Sequence, residues 1–216
     1  MSTIHPLRIT EIFYSLQGES TFVGLPTVFI RLTGCPLRCQ YCDTTYAFKG
    51  GKHWTVDEIL QEVRRYNTPY ICVTGGEPLA QPQCLGLLET LCNAGLRVSL
   101  ETSGALDISQ VDPRVVRVMD IKTPDSNESE RNLWSNLDSL NQQDQLKFVI
   151  CSRDDYEWSR QQVKDRNLMD ICPVLFSPSH QEVPAADLAD WILADQLHVR
   201  YQLQLHKVLW QDTPGR

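Results

Sequence analysis

The run Gly34-Cys35-Pro36-Leu37-Arg38-Cys39-Gln40-Tyr41-Cys42-Asp43 constrains this chain more than any other stretch of it. Thiolates this close together can hold three corners of a four-iron, four-sulfur cluster. No fourth cysteine joins them locally, so one iron stays open to a ligand, as a reacting cluster needs and a purely structural one avoids. Thiolate sulfur also suits zinc. Structural zinc, however, takes four ligands, usually in two pairs. Cys39 and Cys42 make one pair and Cys35 a third donor, and the fourth would have to be remote, with His53 the nearest histidine.

At 216 residues the chain reads as one domain, 1–216, long enough to bury a core without disulfide support. A net charge of -7 does not favour a direct nucleic-acid partner. No stretch approaches the roughly 20 apolar residues of a membrane span. Residues Met1 to Arg8 lack the apolar region of a secretory signal, so a cytoplasmic location is expected. In that compartment eight cysteines mean metal or thiol chemistry rather than disulfides. The five outside the loop, Cys72, Cys84, Cys92, Cys151 and Cys172, read as small buried hydrophobes.

Apolar runs alternate with helical patterns. Strands are expected over Pro26 to Leu32, Tyr70 to Thr74, Leu96 to Glu101, Val115 to Ile121, Gln145 to Ile150, Ile171 to Phe176 and His198 to Leu205. Between them lie a helix opened by the capping box Thr55-Val56-Asp57-Glu58, another over 82–94 stopped by Gly95, and a third over about 154–167 capped by Ser152. Pro184 suits the first turn of a fourth helix, carrying Leu188, Trp191 and Ile192. The polar stretch from Thr123 to Asp144 reads as an irregular or mobile connection. This alternation predicts an α/β fold with a parallel sheet. About six core strands in so short a chain predict an incomplete (βα) barrel, since a closed eightfold one takes about 250 residues.

In parallel α/β folds ligands gather at the carboxyl ends of strands. Four notable segments fall there: the cysteine loop, Gly75-Gly76-Glu77-Pro78, Glu101-Thr102-Ser103-Gly104 and Asp120-Ile121-Lys122.

The spacing Cys-x3-Cys-x2-Cys, with Tyr41 before the last cysteine and Gly-Gly-Glu-Pro following at 75–78, resembles the radical S-adenosylmethionine (SAM) superfamily. The resemblance implies that the open iron chelates the amino and carboxylate groups of SAM. An electron from the cluster then cleaves the sulfonium to a 5′-deoxyadenosyl radical, which abstracts a substrate hydrogen. It assigns Cys35, Cys39 and Cys42 to the cluster, and Tyr41, Cys42, Asp43, Gly75, Gly76, Glu77, Glu101, Ser103, Asp120 and Lys122 to the cofactor. The residue types suit these roles. Gly75 and Gly76 expose backbone polar groups for the methionine amino group. The Tyr41 carbonyl can meet the adenine, and Glu101 and Ser103 the ribose hydroxyls.

The segment Ile9-Thr10-Glu11-Ile12-Phe13-Tyr14-Ser15-Leu16-Gln17-Gly18-Glu19-Ser20, the strand holding Arg31 and the stretch Gln202-Leu203-Gln204-Leu205-His206-Lys207 narrow the resemblance to the 7-carboxy-7-deazaguanine synthase family. That family converts 6-carboxy-5,6,7,8-tetrahydropterin to 7-carboxy-7-deazaguanine and ammonia, on the pathway to 7-deazapurines such as queuosine. The resemblance implies that Leu16, Gln17, Gly18, Glu19, Arg31, Thr74 and His206 contact the pterin, and that Thr44 touches a magnesium ion bridging the substrate carboxylate. Glu19 offers acceptors, Gln17 both donor and acceptor, and Arg31 a planar donor fork. An oxygen ligand suits magnesium. A homodimer and an electron donor such as flavodoxin or ferredoxin are also implied. In some members the terminal carboxylate reaches the site, and the ten residues after His206 bear on whether Arg216 does so here. Trp134, Trp158, Trp191 and Trp210 are candidates for either interface or core.

Two other readings share part of this pattern. A glycyl-radical activase would keep the cluster and Gly-Gly-Glu-Pro but need no pterin pocket. A zinc-stabilised binding module would use only the cysteines.

Overall fold

The structure, a computed structural model, describes residues 6–180, 182–211, 213 and 215. Its elements in chain order are β1 (Leu7–Leu16), β2 (Pro26–Leu32), β3 (Lys52–Trp54), α1 (Val56–Val63), β4 (Tyr70–Gly75), α2 (Cys84–Asn93), β5 (Arg97–Thr102), β6 (Val116–Ile121), β7 (Gln145–Ile150), α3 (Arg153–Asp165), α4 (Leu168–Ile171), β8 (Val174–Pro178), α5 (Ala185–Ala194), β9 (Arg200–Tyr201) and α6 (Leu205–Trp210). They form one sheet in the order β3-β1-β2-β4-β5-β6-β7-β8-β9. From β2 through β4 to β9 the pairing is parallel, and β1 runs antiparallel to both β2 and β3. The edge strands β3 and β9 do not meet, so the sheet stays open, as an incomplete barrel does.

Period-2 alternation decides what each strand shows to each side. Val28, Ile30 and Leu32 of β2, Ile71 and Val73 of β4, Leu100 of β5, and Leu146, Phe148 and Ile150 of β7 join the apolar core under the helices. Their neighbours in sequence, among them Phe29, Arg31, Thr74, Glu101, Val118, Asp120 and Lys147, line the opposite face. The helices start where the sequence signals them. Thr55 accepts from the Glu58 N–H while the Glu58 carboxylate accepts from the Thr55 N–H, and Ser152 accepts from the Asp155 N–H. Gly95 takes φ +79° past the end of α2.

Several expectations are corrected. Pro184 is the residue before α5 rather than part of its first turn. The strand expected from Ile171 starts at Val174, because Ile171 closes the short helix α4. The strand expected over 198–205 shrinks to Arg200–Tyr201. There Gln202 makes the last ladder bond, its N–H donating to the Phe176 carbonyl at 2.9 Å. Its amide side chain accepts from the Ser20 N–H at 2.7 Å and donates to the Ser20 carbonyl at 2.8 Å, turning the chain across the barrel and into α6. Residues 123–144, expected to be irregular or mobile, instead form three short 3-10 turns, Pro124–Ser126, Ser129–Arg131 and Trp134–Ser139, and they are anchored. Asn136 donates to the Gly104 and Leu106 carbonyls, Ser126 accepts from the Gln40 N–H, and Glu128 accepts from the Arg38 N–H. Trp134, Trp158 and Trp191 pack against the core, and Trp210 lies half-buried on α6. Cys72, Cys84, Cys92 and Cys172 are buried, whereas Cys151 is only half-buried, just beyond β7.

Candidate active site

A cavity of about 470 Å³ opens at the carboxyl ends of the parallel strands. That is within the usual range for small-molecule sites. Register builds its floor. Arg31 on β2 pairs with Glu11 on β1 and with Thr74 on β4, and Asp120 on β6 pairs with Lys147 on β7. A polar trio on β1, β2 and β4 and a polar pair on β6 and β7 therefore stand on the face opposite the core, with Val118 set opposite Glu101 between them.

The cysteine loop forms one wall. Cys35, Cys39 and Cys42 line the cavity together with Tyr41, Asp43 and Thr44. The Gly75-Gly76 turn is pressed against the start of this loop. Gly76 N–H donates to the Leu32 carbonyl at 3.2 Å and Glu77 N–H to the Gly34 carbonyl at 2.8 Å. A Cβ on Gly76 would lie 2.3 Å from the Gly34 oxygen and 2.8 Å from Cys35 Cβ. A Cβ on Gly75, at φ +157°, would lie 2.4 Å from the Leu32 oxygen. The N–H groups of residues 76 and 77 are thus spent on the end of β2 and on the start of the cysteine loop, and the glycines let the turn close against both.

The donor set fits the cluster. Burial pushes the Cys35 thiol up and the Cys39 thiol up to about 11, so these sulfurs gain most from a cation that holds them as thiolates. The Cys35 carbonyl, drawn back, accepts from Arg38 Nη1 at 2.8 Å. Among the described residues no three His, Cys, Asp or Glu side chains converge on one ion-sized point. Three thiolates on one loop suit a cubane, which takes one at each of three irons.

Glu77 is the exception among the expected site residues. It is fully buried and lies behind the cavity wall. Its carboxylate accepts from Thr102 Oγ1, from Ser103 N–H at 2.7 Å, from Ser103 Oγ at 2.6 Å and from Leu79 N–H at 3.0 Å. It joins the Gly-Gly turn to the end of β5 and does not line the cavity. Ser103, which donates to it, does line the cavity.

The opposite side is built by the first strands and the C-terminal helix. Arg31 Nε donates to Glu11 at 2.7 Å, and the guanidinium lies 5.7 Å from the Phe13 ring and 5.8 Å from the Tyr46 ring. Phe13 and Phe29 stack at 4.9 Å. Thr74 Oγ1 donates to Glu101 at 3.0 Å, and Gln17 Nε2 reaches the other Glu101 oxygen at 3.5 Å. Glu101 thus joins the residues expected to bind substrate. Glu19 accepts from Lys147 Nζ at 2.5 Å and from Gln204 Nε2 at 2.6 Å. Burial raises the Glu19 carboxyl, but the Lys147 charge and these hydrogen bonds outweigh it and bring the group down to about 2. Lys122 Nζ pairs with Asp120 at 2.9 Å and sits 5.6 Å from the Tyr41 ring centroid. Thr44 donates to Asp43, which Lys207 Nζ approaches at 3.5 Å. His206 lines the cavity from α6 rather than from a strand, beside Leu16 and Gly18. Arg216 lies outside the described residues.

All the expected residues except Glu77 therefore share one cavity. Missed were Phe13, Phe29, Tyr46, Lys147 and Gln204. Lys147 carried the signal that selected Arg31, a cation in an otherwise apolar strand, and Phe29 is two residues from Arg31 on the same face.

A profile of the Radical SAM superfamily matches residues 29–120, the span holding the cysteine loop, the Gly-Gly turn and Asp120. The chain is 45% identical to 7-carboxy-7-deazaguanine synthase of Chlorobaculum tepidum over 97% of both chains. It is 42% identical to that of Koribacter versatilis, over 97% of this chain and all of the other. The chain belongs to the 7-carboxy-7-deazaguanine synthase family. The crystal structure of QueE from Escherichia coli matches the fold with a TM-score of 0.76 at 23% identity, covering 93% of this chain and 95% of that one. Streptococcus suis SuiB bound to SAM matches with a TM-score of 0.54, over 82% of this chain and 47% of that one. Membership in the 7-carboxy-7-deazaguanine synthase family makes the chain a radical SAM enzyme of 7-deazapurine biosynthesis that carries out a ring contraction, with a four-iron cluster and SAM as its cofactors. No helix among the described residues is long and apolar enough to cross a membrane.

Proposed function

We propose that this cavity holds 6-carboxy-5,6,7,8-tetrahydropterin between the cluster loop and the C-terminal helix, and that the chain converts it to 7-carboxy-7-deazaguanine with loss of ammonia. One observation carries the reading: Glu19, Arg31, the Thr74–Glu101 pair and His206 share a cavity with Cys35, Cys39 and Cys42. When bound, the cluster and SAM supply the one-electron cleavage that starts the reaction. Cys35, Cys39 and Cys42 hold the cluster. Tyr41, Asp43, Gly75, Gly76, Ser103, Asp120 and Lys122 surround SAM.

The remaining residues hold and orient the pterin. Glu19 and Glu101 accept from its amino and ring N–H groups. Arg31, whose Nε is taken by Glu11, turns its Nη groups to the ligand. Phe13 and Phe29 give the ring an apolar wall. His206 meets the substrate carboxylate. Thr44 keeps lone pairs for a magnesium ion at that carboxylate, where a hard, oxygen-seeking cation would steer its charge. Residues 1–216 act as one domain, in a homodimer in the cytoplasm, reduced by a flavodoxin or ferredoxin.

The test is anaerobic reconstitution followed by assay with the pterin, SAM and a reductant. Appearance of the deazaguanine ultraviolet spectrum, lost in Arg31→Ala, supports the reading. Full SAM cleavage with no such product points to a protein-directed activase instead. Thr44→Val should alter the magnesium response, and an unchanged metal dependence removes that residue.

A further inference from the structure

Lys147 is the one charged side chain on β7, is 9% exposed and lines the cavity. Its Nζ stands 2.5 Å from Glu19 Oε2 and 3.7 Å from Asp120 Oδ2 on the adjacent strand. Resting on the pterin reading, we propose that Lys147 is a positioning residue for substrate recognition. Its ammonium, wedged between Glu19 and Asp120, fixes the Glu19 carboxylate as an oriented, ionised acceptor.

The argument is one of lone pairs. Each carboxylate oxygen has two. Oε2 gives one to Lys147 and Oε1 gives one to Gln204, so each oxygen keeps one for the cavity. Two such acceptors side by side match two N–H donors on one edge of a ring. Without Lys147 the buried carboxyl takes up a proton and presents a donor to donors. The groups around Glu19 are Lys147 on β7, Gln204 just before α6 and His206 on α6, with Asp120 and Glu101 acting through Lys147. Arginine at 147 would keep the charge, whereas methionine would keep the bulk and lose it.

The experiment measures equilibrium binding of 6-carboxytetrahydropterin to the reconstituted, unreduced enzyme between pH 6 and 8.5. It compares wild type, Lys147→Met, Lys147→Arg and the double variant Glu19→Gln/Lys147→Met. Binding of SAM to the same proteins is the control. Lys147→Met should bind the pterin about tenfold or more weakly at pH 7.5, the scale of a buried charge-assisted hydrogen bond. The ratio of its affinity to that of wild type should fall further as pH falls. Lys147→Arg should stay within a few-fold of wild type. The double variant, which leaves no buried charge unpaired, should bind weakly with a ratio independent of pH.

Unchanged pterin affinity in Lys147→Met overturns the proposal. So does a weakening that does not vary with pH, or a parallel loss of SAM affinity, which would place Lys147 at the cofactor. Should Lys147→Met fail to fold, wild-type affinity in the double variant has the same force. A wild-type enzyme that binds SAM but no pterin removes the underlying reading, and the proposal falls with it.

Discussion

His206 occupies the space in which a side chain on residue 18 would begin: a Cβ on Gly18 would lie 2.1 Å from His206 Nδ1. The Leu205 N–H also donates to the Gly18 carbonyl at 2.9 Å, so α6 is seated on this glycine. Gly18→Ala should lift the imidazole and α6 off the cavity. The expected result is a loss in kcat/KM of about tenfold to a hundredfold, the range for small misplacements of substrate-positioning groups. In Gly18→Ala/His206→Ala the clash is gone, and cycle analysis should give far less than the sum of the single effects. Additive losses would mean that the two positions do not touch.

Gly76→Ala should act on the cluster rather than on the pterin. Its Cβ would meet the Gly34 carbonyl and Cys35 Cβ, both on the loop that carries the sulfurs. Iron and sulfide bound per chain after anaerobic reconstitution should fall well below wild type, with turnover falling about a hundredfold or more. Full iron content together with normal turnover would show that the turn yields at no cost.

Glu77→Ala should be a stability variant first. It strips the acceptor from two hydroxyls and one N–H group at the end of β5 and from the Leu79 N–H just after the Gly-Gly turn. At ~1–3 kcal/mol for each buried donor left unpaired, a loss of about 3 kcal/mol or more is expected in denaturant unfolding. A loss of SAM affinity at unchanged stability would instead put the carboxylate against the cofactor.

Acid should weaken the fold through Glu19. Its folded-state carboxyl, near 2, lies below the ordinary 4.5, so ionised Glu19 stabilises the native chain above about pH 4.5. That contribution is lost progressively as pH falls from 4.5 towards 2, where Glu19 protonates and its pair with Lys147 breaks. Unfolding free energy followed over this window should drop less steeply in Glu19→Gln/Lys147→Met than in wild type. Equal slopes would mean that the pair adds nothing to folding.

Much of the chemistry was legible because it is local. Three cysteines within eight positions, two glycines after a strand and a capping box at Thr55 each declare themselves within one turn or loop. Strand alternation further put Arg31, Thr74 and Glu101 on one side of their strands. Sequence spacing could not say that the Glu77 side chain stays out of the cavity, because its partners Thr102 and Ser103 lie at the end of the next parallel strand. Nor could it show that the last apolar run yields only a two-residue strand before the chain turns into α6. Among the described residues β9 pairs only with β8, and the Gln202 side chain is tied to Ser20.

What the sequence determined by itself is the set of chemical groups and the faces they occupy, since both follow from side-chain identity and a backbone period of two or 3.6 residues. What only the tertiary structure decided is which of those groups meet. Lys147 and Glu19 are 128 residues apart, and their charges are joined only because the sheet brings β7 beside the loop that follows β1. A buried charge is tolerated when its partner is already in place, and that condition belongs to the fold, not to either residue.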